Sequence, residues 1–233
     1  MKNNVVREKM KMRLCDWFIL QKASWMTICL EILAVGILLV FLVYLSRSFW
    51  LNSAMSFITA KDTASPADAI VIESWVQPNK LSVLAAFQLQ SDGFGKSIFL
   101  TEYFSSGSSA ADANTLLTDP EKLNYYSKSE DVESGKMKQI AVENKRPVTW
   151  NTALTVTETL AAQGFQSMIL ISHWHHSRRS CEAYIKAGKL RGIEVFCKPV
   201  ECGLGKDNWW KSSEGLSTIL REIAERIYYL LFV

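Results

Sequence analysis

The sequence predicts an α/β protein with a Rossmann-like parallel sheet and helices on both faces, preceded by one N-terminal transmembrane helix. From residue 67 onward, short apolar runs alternate with stretches of helical spacing, the pattern of a parallel sheet with helical crossovers. Glycines such as Gly164 and Gly188 follow the helical stretches and are expected to end them. An apolar run of about 20 residues lies before this region and predicts the membrane helix.

The apolar run extends from Trp25 to Tyr44 and is long enough to cross a bilayer core of roughly 30 Å. Basic residues concentrate before it, whereas only Arg47 follows closely. The positive-inside rule therefore predicts a cytoplasmic N-terminus and an extracytoplasmic domain. The run is longer than the apolar part of a signal peptide, and no clear A-x-A cleavage site follows it, which favours an uncleaved anchor.

The predicted organisation is a basic cytoplasmic arm, a transmembrane helix, a linker and one folded domain. These segments cover residues 1–24, 25–46, 47–66 and 67–233. Glu31 lies inside the predicted span. A carboxyl group there is either a contact to a partner membrane protein or a neutral group near the interface, and both interpretations remain open.

The folded domain divides into predicted strands and helices in chain order. The strands are expected at 68–72, 97–101, 139–142, 167–171 and 194–196. The helices are expected at 80–89, 151–163, 178–187 and 215–231, with Gly188 ending the third. The polar stretch 105–138 predicts a long loop with a small insert.

Charge and cysteine content narrow the function classes. The net charge is +3, and the basic excess belongs to the N-terminal arm, so no nucleic-acid partner is expected for the folded domain. The domain carries Cys181, Cys197 and Cys202. An oxidising compartment permits a disulfide such as Cys197–Cys202, but reduced, partly buried thiols are an open alternative.

All three histidines of the chain fall within four residues, directly after the predicted strand 167–171. Ligands of doubly wound sheets bind beyond the carboxyl ends of the strands, so His173, His175 and His176 are expected to form one wall of a pocket. Histidine can transfer a proton near neutral pH, and arginine can bind a phosphate group through paired donors. We predict a site for a phosphate-bearing ligand, with catalytic residues His176, His175 and Glu73 and phosphate-binding residues Arg178, Arg179, Asn151, Thr152, Thr149 and Ser172.

The sequence predicts no metal and no cofactor at this site. Adjacent histidines rarely supply several metal ligands with good geometry, and the cysteine spacing matches no common zinc pattern. No glycine-rich loop follows the first strand, where a dinucleotide-binding fold requires one. The chain also lacks a G-x-S-x-G nucleophile elbow.

Three short motifs, in order along residues 67–232, resemble the SanA/YdcF/ElyC family of bacterial envelope proteins. They are Ile72-Glu73-Ser74-Trp75, His176-Ser177-Arg178-Arg179-Ser180 and Trp209-Trp210-Lys211-Ser212-Ser213-Glu214-Gly215, and Thr149-Trp150-Asn151-Thr152 fits a further family segment. The resemblance implies a Rossmann-like domain anchored in the bacterial inner membrane. It also implies a role in cell-wall, exopolysaccharide or lipid-carrier-linked glycan metabolism.

Two functional hypotheses follow from the residues and the resemblance. The first is an envelope hydrolase or transferase acting on a phosphorylated or lipid-linked glycan. The second is a non-catalytic binding or assembly subunit of an envelope polysaccharide complex, with the Glu31-containing helix as its partner contact. The glycines common in the family after the first strand are absent, and this departure favours the second hypothesis.

Overall fold

The computed structural model describes Trp25 and residues 27–73, 79–104 and 137–233. The chain divides after Asn52 into two compact units. The predicted cytoplasmic arm and most of the predicted long loop lie outside the described residues.

The first helix, α1, covers Thr27–Leu45 and is long and apolar enough to cross a membrane. Its side chains are exposed rather than packed into the protein, as expected for a helix whose apolar surface faces lipid. This helix confirms the predicted candidate span. The next helix, α2, covers Arg47–Ile58, so the predicted linker begins as a helix.

The second unit is built on a five-stranded parallel sheet, which confirms the predicted fold class. Its strands are β1 (Ala69–Ile72), β2 (Ser97–Phe104), β3 (Met137–Glu143), β4 (Ser167–His173) and β5 (Glu194–Val200). Their order across the sheet is β3-β2-β1-β4-β5. The helices around it are α3 (Lys80–Ser91), α4 (Val148–Ala162), α5 (Ser177–Arg191) and α6 (Ser213–Phe232), with a 3₁₀ turn at Trp209–Lys211 before α6.

Two apolar layers, one on each face of the sheet, hold the helices in place. Ala69 and Val71 of β1 pack in the layer that includes α4 and α5, whereas Ile70 and Ile72 pack in the layer that includes α3. Successive strand residues point to opposite faces. A central strand covered on both faces is therefore apolar throughout, and all four residues of β1 are buried.

The ends of α5 and β4 differ from the sequence prediction for different reasons. Helix α5 continues past Gly188 and ends at Gly192, which adopts the left-handed conformation (φ 73°) that suits a helix terminus. Gly188 is instead a packing residue, because a Cβ atom there would lie 2.5 Å from the carbonyl oxygen of Ile193. Strand β4 continues past the predicted end to His173, which is paired with Val200 of β5.

The disulfide also differs from the suggested pair. Cys197 of β5 is bonded to Cys181 of α5, with a Cα–Cα distance of 5.9 Å, rather than to Cys202. The bond joins a helix to the strand against which it packs. Among the described cysteines, Cys29 and Cys202 remain outside any disulfide.

Candidate functional site

The candidate site lies at the carboxyl ends of β1 and β4. These strands are neighbours in the sheet, although α3, β2, β3 and α4 separate them in sequence. This is the switch point of the sheet, where the connections turn towards opposite edges and leave a crevice. Glu73 directly follows β1, and the histidine run begins with the last residue of β4.

A cavity of about 290 Å³ opens at this switch point. The end of the sheet and the starts of α4 and α5 form one wall, and α6 forms the other. The first wall contributes Glu73, Tyr103, Thr149, His173, His175, His176 and Arg179, and α6 contributes Thr218, Arg221, Glu222 and Glu225.

Glu73 and His176 form the acidic and basic pair of the cavity. Glu73 is buried, and its Oε2 lies 3.5 Å from Nε2 of His176, within ion-pair distance when the imidazole is protonated. Burial alone would raise the pKa of the Glu73 carboxyl, but the contact with His176 and the charge of Arg179 outweigh burial and lower it. Glu73 is therefore a carboxylate near neutral pH, and it lies within ion-pair distance of the His176 imidazole.

His173 and His175 are neutral near physiological pH. Burial and the neighbouring charge of His176 lower the pKa of His173 to about 4 and that of His175 to about 3. Nδ1 of His175 lies 3.2 Å from Sγ of Cys202. Burial raises the pKa of the Cys202 thiol, so the sulfur and the two imidazoles meet as neutral groups. These three side chains are the described residues that could hold a metal ion, since their donor atoms lie within 4.8 Å of one another.

Trp174 fixes the position of the loop that carries Cys202. Its side chain is fully buried. Its backbone N–H donates to the carbonyl oxygen of Val200 over 2.9 Å, and its indole Nε1–H donates to the carbonyl oxygen of Leu204 over 2.7 Å. One residue between His173 and His175 thus ties both ends of the 200–204 segment to the histidine turn.

Arg179 connects the two walls of the cavity. Its Nε donates to Oε1 of Glu222 over 2.6 Å and its Nη2 to Oε2 of the same carboxylate over 3.0 Å. Nη2 is also 2.9 Å from Oε2 of Glu225, and Nη1 donates to the hydroxyl oxygen of Thr149. Burial would lower the pKa of Arg179, but the hydrogen bonds to Glu222 and the charges of Glu222 and Glu225 raise it. The guanidinium is thus a permanent cation whose charge two carboxylates compensate.

The other predicted phosphate-binding residues do not line the cavity. Arg178 pairs with Glu182 one turn along α5, at 3.1 Å. The amide of Asn151 donates to backbone carbonyls at the start of α4, and the Thr152 hydroxyl lies 3.1 Å from the phenol oxygen of Tyr103. Ser172 is buried within β4. The structure therefore brings Glu73, Thr149, His175, His176 and Arg179 together in the cavity, whereas these four residues support it or lie beside it.

The sequence prediction missed the wall formed by α6. Its polar residues stand at positions 218, 221, 222 and 225, a spacing that places them on one face of a helix. The spacing is visible in the sequence. However, only the contacts of α6 with the starts of α4 and α5 show that this face lines a cavity.

Comparisons with known proteins identify no family for this chain. The chain matches no protein-family model, and a search of curated proteins finds no similar one.

Proposed function

We propose that this chain is a membrane-anchored enzyme of the bacterial cell envelope that acts on a phosphate-bearing glycan or lipid-carrier intermediate. The observation that carries the proposal is the buried Glu73 carboxylate beside His176 in an open cavity at the switch point of the sheet. A carboxylate that orients an imidazole and stabilises its protonated form is a recurrent arrangement for proton transfer.

The cavity also offers a position for a phosphate group. Glu222 is buried, but the Glu225 side chain is 46% exposed while it contacts the same guanidinium. Arginine binds carboxylate and phosphate oxygens with similar geometry. A substrate phosphate would therefore replace Glu225 on Nη2 of Arg179, and Glu222 would continue to accept from Nε and from the other N–H of Nη2. Arg221 supplies a second cation from α6.

The proposed reaction is transfer of the phosphoryl group to water or to an acceptor hydroxyl. The oxygen of the acceptor forms a new bond to phosphorus and releases its proton to solvent. The bond from phosphorus to the leaving oxygen breaks, and protonated His176 gives that oxygen a proton. Glu73 stabilises the imidazolium before the transfer and remains a carboxylate.

The membrane helix supports a lipid-linked substrate. Helix α1 is suited to cross a bilayer, and an anchored domain meets substrates confined to the same membrane. We assign the anchor to the inner membrane in a single pass, with the N-terminus in the cytoplasm and the folded unit in the periplasm. The Cys181–Cys197 bond supports this placement, because disulfides persist in oxidising compartments.

The test uses the full chain in liposomes that contain a polyprenyl-pyrophosphate-linked oligosaccharide. Released oligosaccharide phosphate and the polyprenyl phosphate product are measured over time. Glu73→Gln and His176→Gln are expected to slow turnover by about 10²–10⁴-fold, the usual contribution of general acid–base catalysis.

The control is Glu201→Gln, which removes an exposed carboxylate just after β5 and outside the cavity lining. This variant should turn over as fast as the wild type. Equal rates for Glu73→Gln and the wild type, or no product from the wild type with this substrate class, would count against the proposal.

The contacts of Arg179 also favour a second candidate, a non-catalytic subunit of an envelope polysaccharide complex. Its guanidinium already meets Glu222, Glu225 and Thr149, which is the arrangement of a structural cation. Under this alternative the wild type gives no product, and the partner contact is made by α1 around Glu31.

A further inference from the structure

A cluster of metal-binding side chains adjoins the Glu73–His176 pair. His173 is the last residue of β4, His175 lies in the turn after it, and Cys202 lies in the loop after β5. One ligand atom from each lies within 4.8 Å of the other two, and Nδ1 of His175 lies 3.2 Å from Sγ of Cys202. Two nitrogens and one sulfur of this kind are typical ligands of zinc.

We propose that His173, His175 and Cys202 bind a zinc ion. Zinc–nitrogen bonds of about 2.0–2.1 Å and a zinc–sulfur bond of about 2.3 Å place tetrahedral N and S ligands roughly 3.6 Å apart. The separation of 3.2 Å between Nδ1 of His175 and Sγ of Cys202 is close to that value, and the donor atoms of all three side chains lie within 4.8 Å of one another. Small side-chain rotations would therefore bring the three ligands to a common centre.

The surrounding structure holds the three ligand side chains close to one another. Trp174, which lies between the two histidines in sequence, is fully buried. Its indole and backbone N–H groups donate hydrogen bonds to the segment that carries Cys202. The thiol of Cys202 is available as a ligand because Cys197, the nearest cysteine in sequence, is bonded to Cys181. The sequence prediction of no metal depended on the histidine run, on carboxylates at other strand ends and on the cysteine spacing, whereas here the third ligand is Cys202 from the loop after β5.

The site leaves a fourth coordination position for water or a ligand. Three protein ligands with one open position are characteristic of catalytic zinc, whereas structural zinc is closed by four. Both histidines also line the cavity that contains Glu73 and His176, so the open position is expected to face the same space. Zinc binding does not depend on the proposed phosphoryl transfer and is tested separately from it.

The test measures metal binding by the full chain in detergent, after treatment with a chelator and reloading with zinc or cobalt alone. The wild type is expected to retain about one zinc per chain by elemental mass spectrometry. Its cobalt form should show a sulfur-to-metal charge-transfer band in the near ultraviolet. Cys202→Ser should abolish that band and weaken zinc binding by at least about 100-fold, since loss of even an outer-shell partner costs 10–100-fold.

Cys29→Ser is the matched control, because it removes the other described cysteine outside a disulfide and should leave both readouts unchanged. His173→Gln is the second ligand variant, and thermal unfolding checks that each variant is folded. Absence of zinc and of the cobalt band from the wild type, or an unchanged band in Cys202→Ser, would overturn the metal site. Glu73→Gln should retain the metal whether or not it loses turnover, so failure of this proposal is distinguishable from failure of the proposed reaction.

Discussion

Arg178 and Arg179 show how adjacent residues acquire different surroundings. Neighbouring residues on a helix diverge by about 100°, so the sequence predicts that only one of the two faces the pocket. The structure places Arg179 in the cavity and pairs Arg178 with Glu182 outside it. The sequence could not show that Glu222 and Glu225 would meet Arg179, because those carboxylates follow it by more than forty residues.

Asp68 makes the starts of β1 and β4 sensitive to pH. Its Oδ2 accepts hydrogen bonds from the backbone N–H groups of Gln166 and Ser167 and from the Ser167 hydroxyl, each over 2.9 Å. The bond from Gln166, followed by the Ser167 hydroxyl, lowers the pKa of Asp68 below its ordinary value. The carboxylate is exposed, so solvent screens its contribution.

We expect Asp68→Asn to lower the free energy of unfolding by about 1 kcal/mol at pH 7. The pKa of Asp68 is lower in the folded state than in the unfolded state, so the additional stability of the wild type is fully present above about pH 4. It is lost as the pH falls through the folded-state pKa. Urea unfolding of both proteins at pH 7 and near pH 3 measures this difference, and exposed Asp207→Asn is the control. A difference that does not shrink in acid would contradict the assignment.

The Cys181–Cys197 bond is the main covalent constraint within the described elements. It closes a loop with a sequence separation of 16 residues and joins α5 to β5. A crosslink that closes a loop of about 15 residues stabilises a protein by about 3 kcal/mol, according to the chain-entropy model. The double variant Cys181→Ser, Cys197→Ser should lose about that amount in chemical denaturation.

Cys29→Ser is the matched control for this double variant, because Cys29 lies outside any disulfide. A reducing agent should lower the unfolding temperature of the wild type but not that of the double variant. If reduction leaves the wild type unchanged, the bond does not contribute to stability.

The ends of strands and helices were predictable from the sequence where an apolar run begins or stops there. They were less predictable where polar residues continue a strand. The first residues of β2, β4 and β5 follow directly from apolar runs. The carboxyl end of β4 does not, because Ser172 and His173 extend the strand through pairing with Pro199 and Val200. Helix α5 passes Gly188 because close packing on Ile193, rather than a turn, requires the glycine.

At the scale of the whole molecule, the fold class was predictable because it depends on repeated local patterns. Alternating strand and helix signals determine a parallel sheet, and the switch between β1 and β4 then determines where a ligand can bind. The second wall of the cavity and the histidine–cysteine cluster depend on contacts between distant segments, for which a single sequence gives no periodic signal.

The proposed orientation of the anchor also belongs to this scale. Basic residues precede α1 and few follow it, so the folded unit should lie outside the cytoplasm. Alkaline phosphatase, which is active only after export, should be active when fused after Val233 and inactive when fused before Met1. The reverse pattern would show the opposite orientation.

Arg226 connects α6, at the carboxyl end of the folded unit, to Phe57 of α2, near its amino end. Its guanidinium stacks 4.2 Å from the ring of Phe57, donates to the Phe57 carbonyl oxygen and pairs with Glu182 at 2.8 Å. Glu222 lies one helical turn before Arg226 and grips Arg179 in the cavity. A displacement of Phe57 would therefore shift Arg226, which lies one turn of α6 from Glu222 in the cavity wall. This single turn of α6 couples the position of Phe57 to that of Arg179.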